Sequence, residues 1–174
     1  QQVWRVALHA DATWHDGKPV TADDVMFTIR LIQDSSVGSP LQALWLTTSV
    51  TKLDDRTIQF ATSDVSAPFL HHLTVPLLPK HIWGNVPPQE VPIHPINLQP
   101  VGSGPYAVRQ VEQTSNGHIA RITLQSFPGS LRAPLINSIT LVFYENLDQL
   151  WQGYLAREIT QFGVTASDAV TLPT

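Results

Sequence analysis

The stretch Trp4-Arg5-Val6-Ala7-Leu8-His9-Ala10-Asp11-Ala12-Thr13-Trp14-His15-Asp16-Gly17-Lys18-Pro19-Val20-Thr21-Ala22-Asp23-Asp24-Val25 decides the fold. Its first part, residues 3–9, is apolar and β-prone enough for a strand. Asp16-Gly17 is a turn signal, because Gly tolerates positive φ. Thr21 stands where a helix N-cap belongs, with Asp24 three residues on. That spacing lets hydroxyl and carboxylate satisfy the orphan donors of a helix start. Val20 and Val25 flank the cap as a hydrophobic staple, and Asp23 and Asp24 suit the positive end of the helix dipole. Ala22, Val25, Met26, Ile29 and Ile32 recur at helical spacing, so one face is buried. The helix is expected to stop before Ser35-Ser36-Val37-Gly38-Ser39-Pro40.

Working outward, residues 49–53 and 57–62 read as two strands around Asp54-Asp55. Ile58 and Phe60 share one face; Thr57, Gln59 and Ala61 lie on the other. A short helix is expected over 67–73, and one further turn over 79–83. Residues 84–100 hold Pro87, Pro88, Pro92, Pro95 and Pro100, a density that predicts an extended connector and a subdomain boundary. Beyond Gly102-Ser103-Gly104-Pro105, strands at 106–112 and 118–125 flank an Asn116-Gly117 hairpin turn. Residues 136–144 read as a buried strand. Asn146 and Gln149 repeat the capping spacing. Leu147, Leu150, Trp151, Tyr154 and Leu155 mark one helix face, and 159–164 reads as the strand that completes a β-α-β unit.

The composition narrows the function classes. A chain of 174 residues with 43% hydrophobic and 14% charged residues can bury a core. Its net charge of −4 gives no basic field for nucleic acid or anionic lipid. With zero cysteines there are no disulfides and no thiolate metal sites. No apolar run approaches the ~18 residues of a membrane span. Gln1 in place of Met fits a processed or excised piece of a longer protein.

Three segments, in this order, resemble the family 5 extracellular solute-binding proteins, the peptide and nickel receptors of ABC importers. The first is Leu8-His9, Trp14-His15-Asp16-Gly17 and Thr21-Ala22-Asp23-Asp24-Val25. The second is Leu53-Asp54-Asp55-Arg56-Thr57-Ile58-Gln59-Phe60, followed by Pro68-Phe69-Leu70 and Leu78-Pro79-Lys80-His81. The third is Pro100-Val101-Gly102-Ser103-Gly104-Pro105-Tyr106, similar to the family's Pro-x-Gly-Thr-Gly-Pro-Tyr. There are two departures. Arg157-Glu158-Ile159-Thr160 stands where the family often has Gly-Glu-Ile-Asp, and Ser126-Phe127-Pro128-Gly129 where a tyrosine-containing stretch is common.

The resemblance implies an α+β fold. Residues 1–98 would be the accessory α/β subdomain of the first lobe, with antiparallel strands. Residues 99–174 would be part of that lobe's main α/β subdomain, as in periplasmic binding proteins. It implies a periplasmic or extracellular receptor fragment, membrane-anchored in some full-length forms, that captures peptides or similar solutes. The membrane subunits of an ABC importer would be its partners, and a truncated lobe favours self-association. A sensor ectodomain or a self-standing interaction module on half of the receptor fold is the alternative. The same resemblance places Trp45 and the stretch 73–78 at the cleft face, which makes Trp45, Thr74, Val75 and Leu77 candidate ligand-binding residues. Packing is the competing role for each.

No cofactor, metal site or catalytic set is expected. His71 and His72 are adjacent on a helix, about 100° apart, and do not share one ion with His81 easily. His15-Asp16 reads as turn chemistry, not as an acid–base pair. Gly102-Ser103-Gly104 lacks the outer spacing of a nucleophile elbow and the Lys of a phosphate loop. A tight chain reversal explains it better. Trp151 reads as core, and Trp4 and Trp14 as a packed pair flanking the first turn.

Overall fold

The structure is a computed structural model that describes residues 2–62 and 69–163. It is α+β, and the chain packs as two units. The first holds residues up to Ala107 together with Ser126–Asn137; the second holds Val108–Gln125 and the chain from Ser138 onward.

The first unit is built on a three-stranded antiparallel sheet. Strand β1 (Gln2–Ala7) and strand β2 (Thr48–Lys52) both pair with the central strand β3 (Thr57–Thr62). Alternation puts Ile58, Phe60 and Thr62 inward, and register sets Val6 opposite Ile58 and Trp4 opposite Phe60. Helix α1 (Ala22–Gln33) packs on this sheet through Val25, Ile29 and Ile32, and ends at Asp34 as its sequence predicts. Leu31 and Thr28 are also buried, whereas Met26 is only half-buried. Leu31 looks instead to a second cluster with Trp83 and Val91.

Three one-turn helices close the unit: α2 (Gln42–Trp45), α3 (Phe69–His72) and α4 (Lys80–Trp83). Helix α2 has no counterpart among the elements expected from the sequence; four residues are too few for a 3.6-residue period to show. Trp4 stacks on Phe69 with ring centroids 5.8 Å apart, and Trp14 bonds to Asp24, so the two tryptophans have separate partners.

The proline-rich stretch is not simply extended. It forms two 3-10 helices, Pro88–Ile93 and Pro95–Leu98, each with Pro in its first positions. There the missing N–H costs nothing and the fixed φ suits a helical start. Val91 from this segment is buried.

In the second unit the strand order is β4 (Tyr106–Gln113), β5 (Ile119–Ser126), β6 (Ser138–Val142). Gly117, at φ 81, makes the hairpin turn. Strand β6 is shorter than its apolar run and is not buried among the described residues: Leu141 and Phe143 are about half exposed. Helix α5 (Leu147–Leu155) starts at Asn146, whose side chain accepts from the Gln149 N–H at 2.9 Å. Trp151 is half-buried against Tyr154 and Phe162 and does not sit in a core.

Residues 159–163 form no strand, so the β-α-β unit is not completed within the described residues; Val164 lies outside them. Helix α5 ends in a Schellman motif. The Glu158 N–H donates to the Gly153 carbonyl at 2.9 Å and the Arg157 N–H to that of Tyr154 at 3.0 Å. Arg157 therefore holds φ 61, the left-handed conformation that Gly adopts more easily.

Candidate functional site

The sheet, α1 and α2 line a part-open apolar cavity of about 100 Å³ in the first unit. Each wall follows from a local period. Strand alternation supplies Val6 and Leu8 from the β1 side, and Ile58 and Phe60 from β3. The i, i+4 spacing supplies Val25 and Ile29. The last wall is a strap after α3. Its odd residues Leu73, Val75 and Leu77 face in, half-buried, while Thr74 and Pro76 are exposed.

The structure thus brings three of the four candidate ligand-binding residues, Trp45, Val75 and Leu77, to one cavity. Thr74 points away, and its hydroxyl donates to the His71 carbonyl at 2.8 Å at the end of α3. Trp45 is 1% exposed and belongs to the core, in ring contact with Phe60, Phe69 and His72. Its indole Nε1–H is buried and meets no acceptor among the described residues. The six walls from β1, Leu8, α1 and β3 were legible in sequence only as core positions, because alternation marks a buried face without saying that a void lies behind it.

A second hollow, more open and polar, lies beside the start of α1. Lys18, Thr21, Asp23, Lys80 and His81 are among its walls. Its centre is Asp24, 4% exposed. One oxygen, Oδ2, accepts from the Thr21 N–H at 2.8 Å, the Thr21 hydroxyl at 3.1 Å and the Trp14 indole N–H at 3.3 Å. The other, Oδ1, accepts from the Lys80 N–H at 2.8 Å. The capping box is present, and the same carboxylate also caps the start of α4.

Around it, Lys52 lies 2.6 Å from both Asp23 and Asp55. The hydrogen bond from Lys52, and less strongly that from Lys80, holds the Asp23 carboxyl below its usual value against the opposing effect of burial. His81 Nε2 lies 2.6 Å from Asp16 Oδ2. Burial pushes Asp16 up, but the hydrogen bonds from His81 and the Lys18 amide outweigh it and leave the carboxyl lowered.

His15 and Asp16 do not work together. While Asp16 meets His81, His15 turns to the Gly102–Gly104 loop. Its Nδ1 accepts from the Gly102 N–H at 3.2 Å, so its Nε2 carries the proton and donates to the Gly104 carbonyl at 3.0 Å. Its backbone N–H donates to the Gly102 carbonyl at 2.8 Å. A Cβ on Gly102 would sit 3.2 Å from His15 Cε1. The two motifs are therefore halves of one clasp, and Gly102 is needed for close approach to a ring. Among the described residues no three His, Asp or Glu side chains converge as a metal-holding group. No helix among them is long and apolar enough to cross a membrane.

Comparison with known proteins agrees with this geometry. The family model for bacterial extracellular solute-binding proteins, family 5 Middle, matches residues 1–172. A Brucella ovis protein, named as a candidate ABC transporter peptide-binding protein, is 34% identical over 116 residues, 62% of this chain and 22% of its own length. Among solved structures, the oligopeptide-binding protein AppA of Bacillus subtilis, in complex with a nonapeptide, superposes with a TM-score of 0.84 at 25% identity. The substrate-binding protein CtaP of Listeria monocytogenes gives 0.82 at 28%. Each of these two superpositions covers 97% of this chain and 34% of the other. The chain thus spans about a fifth of its curated relative and a third of its structural neighbours. With its opening clasp, its capped α1 and its two sheets all falling within the matched region, the chain belongs to the family 5 bacterial extracellular solute-binding proteins.

Proposed function

We propose that this chain is part of the first lobe of an extracytoplasmic receptor that captures peptides or similar solutes for an ABC importer. The observation that carries the reading is the match of nearly the whole chain to one third of a receptor solved with a nonapeptide. In this reading residues 1–98 serve as the accessory subdomain and residues 99–174 contribute to the main one. Ligand would favour a closed pair of lobes by binding the closed state more tightly than the open one. In this reading Val75 and Leu77 offer partly exposed apolar contacts and Thr74 an exposed side chain on the same strap, while Trp45, 1% exposed, supports them from the core. Neither Leu77 nor its neighbours supply a carboxylate, so this jaw anchors solute by shape and apolar contact.

The role is capture without catalysis. His15 is engaged by backbone groups of the Gly102–Gly104 loop and His81 by Asp16, neither by a nucleophile. The partners are a small solute and importer membrane subunits, and the location is outside the cytoplasm. Leu141, Phe143 and Leu155 are about half exposed, which supports self-association of the isolated chain.

Calorimetric titration of the full-length receptor with a peptide mixture tests the reading. Saturable binding is expected there, with millimolar binding at best for the isolated chain, since one jaw cannot enclose a ligand. A folded full-length receptor that binds no peptide would refute it. Sedimentation of the isolated chain across a concentration series checks self-association, and a strictly monomeric profile would contradict it.

A further inference from the structure

We propose that Asn116 is a site of spontaneous covalent modification, at which the Gly117 amide nitrogen attacks the Asn116 side chain and converts it to aspartate and isoaspartate. Water is the only co-reactant. The Gly117 nitrogen gives up its proton and bonds to Asn116 Cγ. The Cγ–Nδ2 bond breaks, and ammonia leaves with that proton. Water then opens the cyclic imide at either carbonyl. Opening at the side-chain carbonyl gives aspartate. Opening at the main-chain carbonyl gives isoaspartate, whose chain runs on through the side chain and lengthens the turn by a carbon.

The reaction needs an unhindered nitrogen after the asparagine and a side chain free to reach it. Of Asn85, Asn97, Asn116, Asn137 and Asn146, only Asn116 precedes a glycine. Gly117 has no Cβ, and nothing lies within 4 Å of where one would stand. Residues 112–118 are all exposed at the tip of the β4–β5 hairpin. The Gly117 N–H donates to the Thr114 carbonyl at 2.9 Å, and the Thr114 N–H to that of His118 at 2.8 Å. Together they close a turn in which Gly117, at φ 81, is the bulge. Only that turn bond occupies the attacking nitrogen among the described residues, and an exposed loop tip opens at little cost. Asn116 Oδ1 accepts from the neighbouring Ser115 hydroxyl at 3.2 Å, so among the described residues nothing outside the turn holds the side chain.

The other asparagines are tied or shielded. Asn97 Nδ2 donates to the Val91 carbonyl at 2.8 Å, and Asn146 Oδ1 caps α5. Asn85 precedes Val86, a β-branched residue whose N–H donates to the Trp83 carbonyl at 3.0 Å. Asn137 precedes Ser138, which pairs with Gln125 in the β5–β6 ladder. Asp16-Gly17 has the same kind of glycine neighbour, but a carboxylate is a poor electrophile. Its Oδ2 is held by His81 at 2.6 Å and its Oδ1 by the Lys18 N–H at 3.2 Å.

The test incubates the 174-residue chain, folded, at mildly alkaline pH, with the same chain unfolded in guanidinium chloride as its clock. Peptide mapping by mass spectrometry is expected to show NH₂ replaced by OH at Asn116 alone, as two chromatographically separate isomers. Isoaspartate marks the imide route, since direct hydrolysis of the amide yields aspartate only. The folded rate should lie within about ten-fold of the unfolded one, because opening a loop tip costs close to nothing. Asn116→Gln should lose both products, because its longer side chain has to close a larger ring. Conversion only in guanidinium, conversion first at another asparagine, aspartate without isoaspartate, or ammonia release unchanged in Asn116→Gln would each overturn the proposal. Solute capture plays no part in these readouts, so the two readings fail separately.

Discussion

Replacing Asp24 with alanine removes one buried carboxylate that serves four donors: the Thr21 N–H and hydroxyl, the Trp14 indole N–H and the Lys80 N–H. The cost follows from what each donor can do afterwards. Trp14 is 1% exposed, so water cannot replace its acceptor, and an unsatisfied buried donor costs about 1–3 kcal/mol. The Thr21 amide loses its cap, at about 1 kcal/mol. The Lys80 amide, at the start of α4, is partly buried and adds about 1 kcal/mol. The expected destabilisation is therefore about 3–5 kcal/mol, a large fraction of the ~5–15 kcal/mol of a typical domain. Asp24→Asn keeps one carbonyl oxygen but turns an amide N–H toward other donors, and should cost about 2–3 kcal/mol. Thr21→Ala should cost about 1 kcal/mol or less, because its hydroxyl donates into Asp24 and the carboxylate keeps its other partners. Urea unfolding followed by tryptophan fluorescence suits the test, since Trp4, Trp14, Trp45 and Trp83 all lie in the first unit. A loss under about 1 kcal/mol for Asp24→Ala, with the denaturant slope unchanged, would refute the reasoning.

Gly102→Ala should destabilise by about 1 kcal/mol, because the new Cβ meets His15 Cε1 at 3.2 Å and the ring is pinned by two hydrogen bonds. In a His15→Ala background the same change should be neutral or stabilising, and an equal cost in both backgrounds would rule out the clasp. The Asp23 carboxyl is depressed in the folded state. Its stabilising contribution is thus complete above the ordinary value of 3.8 and is lost as pH falls through the lower folded value. Asp23→Asn should flatten the acid limb of a stability–pH curve, and limbs parallel to wild type would contradict this. Arg157→Gly should stabilise the second unit by about 0.5–1 kcal/mol by relieving a non-Gly residue at φ 61; a lower melting temperature would count against it.

The amino-acid sequence alone determined those features whose physics is local. The Asp16-Gly17 turn, the Thr21–Asp24 helix start, the alternation of β3, the Asn116-Gly117 hairpin and the Asn146 cap each lie within a few residues of their causes. Period and turn chemistry therefore suffice to read them. Features that join distant segments were decided only by tertiary structure. The spacing of Thr21 and Asp24 marks a cap, but nothing near it says that the same carboxylate receives Lys80, 56 residues on. His15 and Gly102 stand in separate motifs, and only folding shows that one ring fills the space a Cβ would need. Trp45 stands in the sequence as a candidate ligand-binding residue, yet it closes a core because β3, α1 and α3 converge on it. The absence of a strand at 159–163, the described part of the one expected after α5, has the same origin. Apolar residues at 159–163 have β-propensity, but a strand needs a neighbour to pair with, and pairing is a property of the whole chain.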